Sequence, residues 1–346
     1  MHDGNLVILN GNETLSLLEN REPEIIEVVQ KAYQAHARGD SMLPHSTFLR
    51  FPDEEKNRII ALPAYLGDGF SMAGVKWISS FPNNLDRGLE RASAVIILNS
   101  TETGRPQAII EGSVISAKRT AASAALAARC LHDAGVTSVG IIGCGPISFE
   151  IARFILVALP KVDSFLVFDT DKDKAQQFKA KCRQLSDRVE VSLAPDATAV
   201  FKHCALTWLA TTAVVPHLHD LSQSPPHRTI LHVSLRDFAP EVMLSCDNVV
   251  DDIDHVCRAQ TSLHLAEQLT GGRDFIRCTL GDILLGRAAA RGDQEGGTTI
   301  FSPFGLGILD LAVAHFLLEQ ARRKGVGTVV DSFFPDTWMQ RTDGSR

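Results

Sequence analysis

The sequence predicts an α/β protein in which a doubly wound parallel sheet is inserted into a mixed α+β unit. From Val139 onward, short apolar runs alternate with helix-like segments, the rhythm of crossovers onto a parallel sheet. The first of these runs ends in Gly143-Cys144-Gly145 and opens onto a helix-like stretch. Upstream of residue 116 the strand-like runs are joined instead by turns rich in Gly, Asn, Asp and Pro, which suggests antiparallel pairing. At 346 residues the chain exceeds a typical single domain, so two cores are expected.

In chain order, an amphipathic helix is expected near Glu22 to Arg38, then strands at Arg58 to Pro63, Ser71 to Ile78 and Ala94 to Leu98. The Ala-rich segment 113–131 is helical and carries the chain into the parallel sheet. There a strand from Val139 precedes a helix over Ile147 to Leu159, a strand over Ser164 to Phe168 and a helix over Lys172 to Cys182. A strand at Val189 to Leu193, a helix at Asp196 to Cys204 and a strand at Leu206 to Thr211 follow. The Pro225-Pro226 pair makes Leu221 to His227 a loop leading into a strand at Thr229 to Ser234, and Asn248 to Asp252 is a further strand. The helix Gly307 to Lys324 is too apolar on one face to stand alone. The expected domains are therefore 1–115, 116–305 and 306–346, the last returning to the first.

The glycines point to a dinucleotide. Gly143 suits the tight turn and Gly145 the close approach of a pyrophosphate. The free N–H groups and positive end of the helix that follows would neutralise that pyrophosphate, with Cys144, Pro146 and Ile147 as further cofactor-binding candidates. The third glycine of the pattern is replaced by Ser148, small enough for close packing of helix on strand. Asp169 ends the next strand about 24 residues past Gly145, where an acid bonds the ribose 2′-OH. A carboxylate there repels a 2′-phosphate, so the expected cofactor is NAD rather than NADP. Thr211 and Thr212 are expected along the adenosine or nicotinamide-ribose side, with Ser234 and Leu235 near the nicotinamide.

The net charge of −7 gives no support to a nucleic-acid or membrane partner. Seven scattered cysteines without a C-x-x-C pair read as reduced thiols. No secretory signal or membrane-length apolar run is evident, so a cytoplasmic location is expected. His217-Leu218-His219-Asp220 alternates possible metal ligands but lacks a third at recognisable spacing, and no metal is expected.

Four strings together resemble the ornithine cyclodeaminase and μ-crystallin family: Gly74-Val-Lys76-Trp, Ala117-Lys-Arg119-Thr-Ala-Ala, Ile142-Gly143-Cys-Gly145 and Pro303-Phe-Gly305-Leu-Gly307-Ile-Leu-Asp310. The similarity spans nearly the whole chain. It implies a Rossmann-type domain inserted in a substrate-binding and dimerisation domain whose strands pair across a homodimer. Further strings resemble the branch of the family that acts on a glutamate adduct: Arg58-Ile-Ile-Ala-Leu-Pro63, Glu90-Arg91-Ala-Ser93 and Val249-Val-Asp251-Asp252. That likeness implies NAD-dependent cleavage of N-(2-amino-2-carboxyethyl)-L-glutamate to 2-oxoglutarate and L-2,3-diaminopropionate, a siderophore or antibiotic precursor. Other activities of the family are cyclodeamination of ornithine and reduction of ketimines, and a μ-crystallin-like binding protein is the non-catalytic alternative.

Lys76 lies in a mostly apolar run, where an ammonium is costly without an anionic partner. Arg119 opens a helix whose dipole it opposes unless an anion sits nearby, and its planar fork suits a carboxylate. At the matching family positions both cations bind the substrate carboxylate, and the arginine also lies near the cofactor. The implied substrate carries three carboxylates, so Arg50, Arg58 and Arg91 are further candidates. Arg50 stands in for a basic residue that many members place where this chain has His45-Ser46. Asp237 follows the strand at Thr229, displaced by about two positions from the family's Gly-x-Asp-x-Pro acid/base string. Asp237, or a Lys76 made neutral by burial, is the candidate proton acceptor.

Overall fold

The computed structural model describes residues 5–221, 225–293 and 296–334, and the chain divides into two compact units. The first comprises Met1–Asn20, Asp40–Ser116 and Gly307–Arg346. Its eight-stranded sheet runs Thr328–Val330, Leu6–Leu9, Pro106–Glu111, Ala92–Ser100, Met72–Ser80, Glu54–Leu66, Ser41–Met42, with Thr47–Phe51 also paired to Glu54–Leu66. All neighbours are antiparallel except Leu6–Leu9 with Pro106–Glu111. Alternation sorts the faces: Ala94, Ile96 and Leu98 are buried while Val95 between them is 40% exposed. Helix Gly307–Lys324 packs on the buried face.

Gly74 makes that packing possible. A Cβ at Gly74 would overlap the Ile97 carbonyl oxygen and stand 3.1 Å from Leu311 Cδ2 of the helix. Gly74→Ala is therefore expected to destabilise the protein by about 1–3 kcal/mol, read as a lower urea midpoint with an unchanged slope. An unchanged midpoint would refute the close approach.

The second unit comprises Arg21–Gly39 and Ala117–Leu306. Its sheet is wholly parallel, in the order Glu190–Leu193, Ser164–Phe168, Ser138–Ile142, Leu206–Leu209, Thr229–His232, Thr299–Ser302, Asp247–Val250, Ile276–Thr279. Strand order reverses between Ser138–Ile142 and Leu206–Leu209, the switch point at which open α/β sheets bind ligands beyond their carboxyl ends. The central strands are buried on both faces and carry no alternation; Leu206–Leu209 and Thr299–Ser302 are buried throughout.

Several expectations shift. The helix Glu22–Arg38, assigned by sequence to the first domain, belongs to the second unit, where Tyr33 Oη bonds Ser123 Oγ at 2.7 Å. Its apolar stripe has no preference between two cores, so sequence could not choose. The strand expected to reach Thr211 stops at Leu209, and the strand expected to reach Ser234 stops at His232. There the chain turns, with Val233 N and Ser234 N both donating to Leu209 O. Within the expected loop Leu221 to His227, residues 222–224 lie outside the described residues.

Candidate functional site

The glycine loop joins strand Ser138–Ile142 to helix Pro146–Ala158. Gly143 has φ of 92°, and a Cβ there would stand 2.6 Å from the Ala210 carbonyl oxygen, so the turn excludes any side chain. Gly145 caps the helix without a side-chain hydrogen bond, and a Cβ on it would meet nothing within 4 Å. The space beside Gly145, at the start of the helix, is thus unfilled, which leaves room for a pyrophosphate near Cys144, Pro146 and Ile147. Ser148 is fully buried; its hydroxyl donates to the Gly143 carbonyl and accepts from Trp208 Nε1 at 3.1 Å. A serine at the third glycine position therefore braces the loop. Asp169 braces it from the next strand, accepting from Cys144 N at 2.8 Å and Asp171 N at 2.9 Å. Burial, then the Asp169 charge, push the Cys144 thiol up to about 12, so it is no nucleophile.

Beside this loop lies a cavity of about 240 Å³ lined by Arg119, Thr120, Ser123, Ile147, Val233 and Gly305, among others. It brings together a cation, the first turn after the glycines and the end of strand Thr229–His232. Arg119 is buried, and Gly305 supplies the room for it: a Cβ at Gly305 would stand 2.8 Å from Arg119 Nη1. The loop carrying Gly305 is held by Asp251, which accepts from Phe304 N at 2.9 Å and Gly305 N at 2.7 Å. Burial pushes the Asp251 carboxyl up against those bonds. The sequence alone does not assign Asp251 this part, although two adjacent acids ending an apolar strand are a visible signal.

Asp237, the expected proton acceptor, stands in a closed set of hydrogen bonds. It is fully buried and accepts from the Thr211 and Ser234 hydroxyls, with His232 Nε2 at 3.1 Å. Burial pushes its carboxyl up, but His232, through hydrogen bond and charge, and then the two hydroxyls outweigh this and hold it at about 2. A carboxylate held in this way anchors Thr211 and Ser234 at the carboxyl edge of the sheet. Leu235 in the same turn has φ of 69°, a conformation that costs a bulky residue free energy. Thr212 is exposed. His217 Nε2 lies 3.9 Å from Asp237 Oδ1, while His219 and Asp220 are exposed.

The depressed Asp237 pKa makes a prediction. Such a carboxylate contributes stability above its unfolded value near 3.8 and loses it as pH falls through about 2. Relative to Asp237→Asn, the wild type is expected to gain about 2 kcal/mol at neutral pH and to lose that margin in acid. Urea unfolding at pH 7 and pH 3 measures it; a margin independent of pH would contradict it.

In the first unit Lys76 is 2% exposed, and its Nζ donates to Asp310 Oδ2 at 2.7 Å and to Ser116 Oγ at 3.4 Å. Register puts Lys76 opposite Leu62, and Arg58, four residues back along the same strand, on the same face, opposite Arg50. Like charges directly across a ladder repel, which favours an anion between them. Arg58 is half-buried and Arg50 exposed, its guanidinium 5.6 Å above the Phe48 ring. Arg91 is half-buried one residue before strand Ala92–Ser100, apart from that pair. Asp310 went unassigned by sequence, although a lone acid in the apolar run Leu306–Leu311 was a visible signal.

The description ornithine cyclodeaminase/mu-crystallin family matches residues 11–325. The chain is 28% identical to N-((2S)-2-amino-2-carboxyethyl)-L-glutamate dehydrogenase of Staphylococcus aureus, over 95% of this chain and 99% of that one. It superposes on the Thermococcus litoralis Delta(1)-pyrroline-2-carboxylate reductase, solved with NADH and L-proline, with a TM-score of 0.84 and 26% identity, covering 93% and 99% of the two chains. An archaeal alanine dehydrogenase dimer with bound NAD gives a TM-score of 0.85 and 27% identity, covering 95% and 100%. The chain belongs to the ornithine cyclodeaminase/mu-crystallin family.

Proposed function

We propose that this protein cleaves N-(2-amino-2-carboxyethyl)-L-glutamate oxidatively to 2-oxoglutarate and L-2,3-diaminopropionate, supplying a siderophore or antibiotic precursor. It is an amino-acid oxidoreductase and NAD is its cofactor. The observation that carries the substrate is the Arg50–Arg58 cross-strand pair on the Lys76 face of one sheet; the other unit adds the buried Arg119 of its own cavity. A substrate with one carboxylate has no use for so many cations; one with three does. In this reading Lys76 and Arg119 bind the carboxylate next to the reacting carbon, and Arg50, Arg58 and Arg91 the remoter ones.

When bound, NAD accepts the hydride from the glutamate-side Cα–H. What the chain supplies is position. Cations fixed on the fold's strands and helix hold the carboxylates so that this Cα–H keeps one orientation, the effect that contributes most to such a barrier. Loss of the hydride leaves a C=N bond. Water adds to its carbon, and the carbinolamine collapses with a proton to nitrogen, releasing the amine and the keto acid. Asp169 selects NAD by excluding a 2′-phosphate, and Asp237 holds the Thr211 and Ser234 hydroxyls beside the cofactor.

The open face of the first unit's sheet exposes Leu49, Trp77 and Val95 by 40–48%, an apolar surface that supports homodimerisation. No helix among the described residues is long and apolar enough to cross a membrane, and a cytoplasmic location fits the proposed reaction. The test is a substrate panel with NAD: the glutamate adduct, L-alanine, L-proline and L-ornithine, with products identified by mass spectrometry. NADH with the adduct alone is expected, and Arg91→Ala should raise KM for it by about tenfold or more. Turnover of alanine, proline or ornithine in its place would replace the proposed substrate.

A further inference from the structure

A lysine in the middle of a sheet can serve in two opposite ways. As a neutral amine it takes protons; as an ammonium it holds anions. Which one applies is decided by what stands against its Nζ. Lys76 is 2% exposed, and Asp310, which is fully buried, lies 2.7 Å away as an ion pair. Ser116, from helix Ser113–Leu131, adds a neutral hydroxyl at 3.4 Å. Asp310 sits in the first turn of helix Gly307–Lys324, where the helix dipole favours negative charge. That helix is anchored over the lysine's own strand, because Leu311 is the next residue and packs over Gly74. Strand and helix are thereby fixed in the register that aligns the pair.

We infer that Asp310 is a positioning residue that keeps Lys76 a permanently charged, oriented ammonium, so that Lys76 binds the substrate carboxylate as a fixed cation and takes no proton during turnover. This rests on the reading of Lys76 as a carboxylate ligand and deepens it. A buried lysine that loses its carboxylate is left uncompensated, and burial then favours its neutral form. The inference also removes Lys76 from the proton-transfer steps.

Two readouts test it in the full-length protein. The first needs no substrate: lysine labelled with ¹³C at Cε is titrated by NMR, the Lys76 signal being the one absent from Lys76→Arg. In the wild type that signal is expected to stay at its ammonium position across the whole pH range of activity. In Asp310→Asn it is expected to titrate within that range. The second readout is kinetic: Asp310→Asn should raise KM for the adduct about tenfold to a hundredfold, with a smaller change in kcat, whereas Asp310→Glu should recover both the ammonium signal and part of KM. A wild-type Lys76 that titrates as an amine within the activity range overturns the inference. So does an Asp310→Asn protein with unchanged lysine signal and unchanged KM. If Asp310→Asn does not fold, the wild-type and Asp310→Glu titrations still decide it. Absence of turnover with the adduct would refute the proposed substrate while leaving the lysine titration to be read on its own.

Discussion

Arg119→Met is expected to lower kcat/KM for the glutamate adduct by about a hundredfold to a thousandfold. The side chain is buried in a cavity that also holds the first turn after the glycine loop and the end of a central strand. A carboxylate paired with a guanidinium buried in this way is left uncompensated when the cation is removed. Methionine keeps the volume and removes the charge, so the loss reports the ionic contact. Arg119→Lys is expected to recover little, since an ammonium cannot reproduce the planar fork. The cavity depends equally on Gly305, whose missing Cβ leaves space for the guanidinium. Steady-state kinetics with the adduct measure the effect, and a loss under fivefold would remove Arg119 from the substrate site.

Gly143→Ala is expected to weaken NAD binding by about tenfold or more and to destabilise the fold by about 1–3 kcal/mol. Two constraints coincide at this position: φ of 92°, which a side chain disfavours, and the Ala210 carbonyl oxygen 2.6 Å from the new Cβ. Relief of either shifts the turn and the helix N-terminus proposed for the pyrophosphate. Gly145→Ala, with nothing within 4 Å of the added methyl, should leave stability almost unchanged and report on cofactor approach alone. Calorimetric titration of NAD together with urea unfolding separates the two effects. Tight NAD binding by Gly143→Ala would contradict the loop assignment.

These contrasts bear on what could be read without coordinates. The strand Ser164–Phe168 and the helices Lys172–Cys182 and Gly307–Lys324 were legible to the residue, because strong local signals bound them: Asp169 after the first, the N-cap Asp171 before the second, and Gly325 beyond the third. Strands Ile276–Thr279 and Thr299–Ser302 were not legible, since each holds only two apolar residues and no longer apolar run. Of the site, the glycine loop was legible because its backbone demands particular residues. The state of a titratable group was not, because it depends on residues distant in sequence. Lys76 meets its carboxylate at Asp310, more than 200 positions away, and Asp237 meets its hydroxyl at Thr211 across two strands. Sequence showed that Lys76 needed an anionic partner; only the fold shows which one.

The measurement that tests the central claim most directly follows one hydrogen. The adduct, deuterated at the Cα of its glutamate half, is mixed with the protein and NAD, and the NADH and keto acid formed are weighed by mass spectrometry. The account predicts deuterium in the NADH and 2-oxoglutarate formed in equal amount, with L-2,3-diaminopropionate unlabelled. Unlabelled NADH, or a keto acid derived from the diaminopropionate half, would contradict it by placing the oxidation on the other carbon.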